Sequence, residues 1–137
     1  MDESDRGACA AEITRYIVET FDGVDVARDR DIGTFFSRDP EKHWPNFATI
    51  VTDDEYDQFS KLNRPGVFRL NIGVGKAIYQ DRVGRMQEPD YAQLDRLFPH
   101  PVYAKQRWIC ILNPSQETFD EIVKPLLAAY ARIGPRS

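Results

Sequence analysis

Two polar residues sit where a strand should be. Val67-Phe68-Arg69-Leu70-Asn71-Ile72 alternates strictly, so Phe68, Leu70 and Ile72 share one face and Val67, Arg69 and Asn71 the other. The apolar set belongs to a core covered by helices. The opposite face then presents a guanidinium and an amide on an open sheet surface. Arginine offers a planar fork of donors for a carboxylate or phosphate, and asparagine adds a donor and an acceptor. The structural alternative is an exposed sheet face, or an ion pair with an aspartate.

A second group follows about thirty residues on. His100 stands between Pro99 and Pro101, a stiff extended connector that would fix its position. It suits a ligand contact or, if the protein is an enzyme, a general acid/base. It suits equally a structural histidine bonding a neighbouring backbone group. Tyr103, Gln106 and Trp108 come next in the chain. Aromatic rings with a few convergent polar groups are the usual lining of a pocket, although Trp108 at strand spacing also fits a core. The candidate ligand-binding set is therefore Arg69, Asn71, His100, Tyr103, Gln106 and Trp108, with His100 as the candidate catalytic residue.

Other motifs carry less. Cys110 has apolar neighbours in a strand and reads as an inert buried thiol, since reactivity requires access and a lowered pKa. Gly73-Val74-Gly75-Lys76 precedes a helix, but Ala77 follows the lysine and a phosphate loop needs Ser or Thr there. The cluster Asp53-Asp54-Glu55-Tyr56-Asp57 could hold a hard cation, yet capping of a helix already explains most of its acids. No G-x-S-x-G is present, and neither histidine nor cysteine spacing suits zinc. The sequence implies no cofactor and no metal.

Hydrophobic periodicity supplies the elements that must position these groups. Ile13, Ile17 and Phe21 predict a helix over 8–22 that stops at Gly23. Short strands are expected at Val24–Arg28, Thr34–Ser37 and Phe47–Thr52, with Arg28–Asp31 as a turn and 39–46 as a loop containing two prolines. Thr52 with Glu55 forms a capping-box pattern, which predicts a helix over 53–62. Strand Val67–Ile72 is followed by a helix over Lys76–Met86, a short helix over 91–97 capped by Asp90, and a strand over Arg107–Leu112. In that last strand Trp108, Cys110 and Leu112 oppose Ile109 and Ile111. The final helix starts at Ser115 and buries Phe119, Ile122, Val123, Leu126, Leu127 and Tyr130, with a kink at Pro125 and a stop at Gly134-Pro135. Expected is an α+β fold, a mostly antiparallel sheet with helices packed on one face, in a single domain over 1–137 whose structured core is 8–133.

Bulk properties restrict the function classes. A chain of 137 residues with 42% hydrophobic and 29% charged residues can bury one core. Its net charge of −4 makes nucleic acid an unlikely default partner, because phosphate binding needs a basic footprint. Two cysteines a hundred residues apart, an acidic start without an apolar run, and no long apolar stretch point to a reduced, cytoplasmic protein with no membrane partner.

The runs Pro65-Gly66-Val67-Phe68-Arg69-Leu70-Asn71-Ile72-Gly73-Val74 and Pro99–Ser115 resemble a bacterial family of unknown function common in actinobacteria, similar in layout to the MmcQ/YjbR-like group. The resemblance covers about Ile13 to Ala131. It implies a frataxin-like layout, and for the broader group DNA binding has been suggested. The leading expectation is a non-catalytic domain that binds a small anionic molecule or a partner, including a second copy through the open sheet face. The alternatives are a cofactor-independent enzyme using His100, and a nucleic-acid module using Lys76, Arg82 and Arg85.

Overall fold

A computed structural model describes residues 8–37 and 46–133. The expected loop over 39–46, but for Asn46, and the stop at Gly134-Pro135 lie outside them. Helix α1 (Ala10–Thr20) leads into a meander of β1 (Asp25–Asp29), β2 (Gly33–Ser37), β3 (Ala48–Val51) and β4 (Arg69–Gly73). Helix α2 (Lys76–Val83) follows, then the short β5 (Phe98–Pro99), a single 3-10 turn at Ala104–Gln106, and β6 (Trp108–Leu112). The six strands form one sheet in the order β1-β2-β3-β4-β6-β5, every named pair antiparallel.

The last helix, α3, spans 116–133. Ser115 caps it, its Oγ accepting from the Thr118 amide at 3.1 Å. An α-helical turn at Gln116–Thr118 gives way to a π-helical stretch at Phe119–Val123, and α-helix resumes over Lys124–Ile133. Pro125 has no N–H to give the carbonyl of Glu121, and the widened turn ends two residues before it.

The alternation in β4 divides the molecule as the sequence predicts. Leu70 and Ile72 join Ile109 and Ile111 of β6 in the main core, closed by Ile13 and Ile17 of α1 and by Phe119, Val123 and Leu127 of α3. Each such side chain contributes roughly 1.5–3 kcal/mol by leaving water. The other face carries a second, smaller cluster of Val51, Leu62, Phe98, Cys110 and Leu112.

Two expected helices are absent. Residues 53–62 form successive turns, because the acids that were to cap a helix bind amides within the loop instead. Asp53 accepts from the Glu55 amide at 2.8 Å, Asp54 from Leu62 at 2.7 Å, and Asp57 from Phe59 at 3.2 Å. Thr52 Oγ1, the expected cap, donates to the Asp31 carbonyl at 2.9 Å. Residues 91–97 make one turn under Asp90 and then run beside β6, with Leu94 bridging Leu112 and Asp95 in the left-handed region at φ 57°. These two loops lie over the sheet face that was expected to be open. Arg69 and Asn71 are consequently only 2% exposed each.

Candidate functional site

Strand register assembles the site. Phe35, Thr49, Asn71 and Cys110 face one another across β2, β3, β4 and β6, and Gly33, Val51, Arg69 and Leu112 form the next rung. Trp108 lies opposite Gly73. Antiparallel partners share a face, so all these residues belong to the face away from α1 and α3. Phe35, Thr49, Val51, Arg69, Asn71 and Trp108 from this set line a half-open cleft of about 510 Å³ there. Phe35, Val51, Val102, Tyr103 and Trp108 make its apolar walls, and Thr49, Arg69, Asn71 and His100 its polar floor.

Arg69 organises the floor. Its Nη1 and Nη2 grip the Asp57 carboxylate end-on at 3.0 and 2.7 Å, Nη1 also donates to Ser60 Oγ at 3.0 Å, and Nε donates to Asn71 Oδ1 at 2.9 Å. The anion-binding fork expected of Arg69 is thus already filled from within the chain. Burial works to raise the Asp57 carboxyl, but the hydrogen bonds and charge of Arg69 outweigh it and hold the group below its usual range. Asn71 Nδ2 passes the chain on to Thr49 Oγ1 at 2.9 Å. One N–H of Arg69 Nη2, one of Asn71 Nδ2 and the Thr49 hydroxyl proton remain without acceptors among the described residues.

His100 completes the set from the connector after β5. It is 4% exposed, and its amide donates to the Trp108 carbonyl at 3.0 Å, continuing the β5–β6 pairing. Nδ1 accepts the amides of Val102 and Tyr103, both at 3.0 Å. A nitrogen accepting two N–H bonds carries a lone pair, so the proton sits on Nε2. Burial, and then the Arg69 charge, push the imidazole pKa down to about 4, against a smaller opposing pull from Asp57. At neutral pH His100 is therefore an uncharged donor through Nε2, which has no partner among the described residues.

Of the six expected ligand-binding residues, Arg69, Asn71, His100, Tyr103 and Trp108 line the cleft. Gln106 does not: it is exposed on the 3-10 turn. Tyr103 stands at the rim, 53% exposed, with its ring 5.0 Å from that of His100. Sequence reasoning missed Thr49, Phe35 and Tyr56; the ion pair with an aspartate, given as the structural alternative for Arg69, is the one found, and its partner is Asp57. Tyr56 hydrogen-bonds Asp29, and together with the Arg30–Glu55 ion pair it ties the 53–62 loop to the β1–β2 turn. Burial first, then that bond, raise the Tyr56 pKa to about 12. Cys110 is sealed beneath the cleft and burial pushes its thiol up, as expected of an inert cysteine.

A larger cleft, about 740 Å³, runs along residues 80–90 with Gln93, Arg96 and Phe98. Its charged residues, Asp81, Arg82, Arg85, Glu88, Asp90 and Arg96, are exposed and of both signs. The smaller cleft is the better candidate because its polar groups are buried, fixed by one another and convergent. Among the described residues no three His, Cys, Asp or Glu side chains are grouped to hold a metal ion, and no helix is long and apolar enough to cross a membrane.

A model of a family of unknown function (DUF6194) matches residues 8–137. The chain belongs to this family. Neither the curated proteins nor the solved structures contain a match. The DUF6194 match spans every described residue, so both the helix-covered core and the cleft lie within it.

The position of Trp108 in this DUF6194 chain depends on Gly73. A Cβ at Gly73 would stand 3.0 Å from Trp108 Cε2 and 3.2 Å from Cζ2, so the indole must give way. Gly73→Ala should cost about 1–2 kcal/mol through overpacking and should displace the wall of the cleft. Urea unfolding and the shift of the Trp108 indole NMR signal check both effects.

Proposed function

We propose that the chain is a non-catalytic small-ligand-binding domain and that the cleft over Arg69, Asn71 and His100 is its site. One observation carries this reading: mutually hydrogen-bonded side chains on neighbouring strands, lining one aromatic-walled cleft, keep spare donors. A fully satisfied core network would leave none. The concave form favours a small molecule over a second copy of the chain, which would need a flat or protruding face.

The enzyme reading gains less support. A general base needs a free lone pair, and the Nδ1 lone pair of His100 is spent on two amides while Nε2 carries the proton. Nucleic acid remains disfavoured by the net charge of −4. The MmcQ/YjbR-like layout is retained as a proposal, supported by helices from both ends of the chain packing on one face of an antiparallel sheet.

Screening a fragment library by two-dimensional NMR tests the site. Hits should move the Trp108 indole, the Asn71 side-chain amide and the Val102 and Tyr103 amides together. His100→Asn keeps an oxygen where Nδ1 accepts those amides but removes the Nε2 donor, and should weaken the hits about tenfold, the worth of one good hydrogen bond. Hits that gather along residues 80–90 instead, or an absence of hits at the cleft, would overturn the assignment.

A further inference from the structure

Within that reading of the cleft as a ligand site, we infer that the ligand is an uncharged carbonyl compound, with its oxygen on the donors of Arg69, Asn71, Thr49 and His100 and a flat apolar body against Trp108 and Phe35. The inference departs from the expectation that an exposed arginine recruits an anion. Among the described residues lining the cleft, Arg69 is the one fixed cation and Asp57 the one carboxylate, and they are paired end-on at 2.7 Å. Both belong to the cleft wall. An entering anion therefore meets opposite charges side by side, and their fields largely cancel.

Desolvation then decides between ligand classes. A carboxylate entering a cleft with apolar walls sheds tightly held water, and needs a net positive charge to recover that loss. A ketone, ester or amide loses far less hydration. The two lone pairs of its carbonyl oxygen can still accept from donors within the set of the Nη2 hydrogen that Asp57 leaves free, Asn71 Nδ2, the Thr49 hydroxyl and His100 Nε2. Spare hydrogens outnumber spare lone pairs on this floor, because Arg69 has taken one of the two lone pairs of Asn71 Oδ1 and Asn71 one of the two of Thr49 Oγ1, which leaves each oxygen a single acceptor site. The site is built to give hydrogen bonds, and a carbonyl oxygen with no hydrogen of its own is the complementary group.

Acetophenone and benzoate separate the two classes, being planar, nearly the same size and different in charge. Small ligands of this kind bind at roughly millimolar concentrations, so each is titrated at pH 7 against the full chain while the Trp108 indole and Asn71 amide signals are followed. Acetophenone should bind at least fivefold tighter than benzoate. Benzoate binding equally or more tightly at the same signals would overturn the inference while leaving the cleft as a ligand site. Acetophenone failing to move those signals would overturn it too, and fragments that still bind the cleft would show that the broader reading survives. A second measurement uses Asp57→Asn, which removes the carboxylate charge and leaves Arg69 uncompensated. It should raise benzoate affinity relative to acetophenone at least tenfold, and an unchanged ratio would show that the Arg69–Asp57 pairing does not set the preference. The wild-type comparison stands even if this variant fails to fold.

Discussion

Asp57→Ala should destabilise the fold by about 3–5 kcal/mol, the usual consequence of leaving one charge of a buried pair without its partner. Arg69 is 2% exposed and the Asp57 side chain 9%, so water cannot replace the lost carboxylate. Ser60 Oγ and Asn71 Oδ1 would still accept from the guanidinium, but neither neutralises it. Against a total stability of about 5–15 kcal/mol for an ordinary domain, the loss is a large fraction. The Arg30–Glu55 pair makes the contrast. Its 2.8 Å contact is as short, yet the side chains are 62% and 52% exposed, and Glu55→Ala should cost less than about 1 kcal/mol. Replacing both buried partners, Arg69→Met with Asp57→Leu, should recover much of the loss, because it removes the desolvation penalty along with the attraction. Urea unfolding of the single and double variants measures the coupling directly. An Asp57→Ala cost below about 1 kcal/mol would mean that the pair is not the buried anchor described.

The half of the fold that rests on periodicity was legible in the sequence. Alternation in Val67–Ile72 separates core from site correctly, since a strand's side chains have only two directions to go. The stripe Phe119, Val123, Leu127 likewise marks the face of α3 that closes the core, and Ser115 marks its start. Reading failed where side chains compete with the helical backbone. Thr52 through Asp57 has every mark of a capped helix, but an aspartate that can cap an amide in a helix can equally cap one in a turn. Which it does depends on contacts such as Arg69–Asp57, twelve residues apart in the chain. The site shows the same division. His100, held by two prolines, was visible as a fixed group. That its Nδ1 would be spent on the next two amides depends on the turn made by 101–103, and no spacing reveals it. Gln106 qualifies in the sequence only as a polar residue close after His100, and the 3-10 turn at Ala104–Gln106 leaves it exposed outside the cleft. Thr49 was invisible as a site residue because only the register of β3 against β4 brings it to Asn71.

That spent lone pair has a consequence for acid stability. His100 titrates near 4 in the folded chain against about 6.5 unfolded, so between those values the unfolded state takes up a proton that the folded state refuses. Stability from this group is fully present above pH 6.5 and falls as the pH drops toward 4. The loss is about 3 kcal/mol, from a difference of about 2.5 pKa units at 1.36 kcal/mol each. Asp57 acts later: its folded pKa lies below the ordinary 3.8, so its contribution is lost only under more acid conditions. Unfolding free energies from urea titrations should therefore fall with a slope approaching one proton between pH 6 and 4.5, steepening only where the carboxylates titrate. His100→Asn has no such proton to refuse and should flatten the first part of the profile. Equal slopes for the variant and the wild type would place the acid sensitivity elsewhere. The same argument ties stability to function. Protonating Nδ1 breaks both amide contacts that hold the ring, so the Nε2 donor and the fold that aims it are lost together. Ligand affinity at the cleft should then remain level through pH 6.5, where an ordinary histidine would already be half charged, and fail only as the domain itself begins to yield.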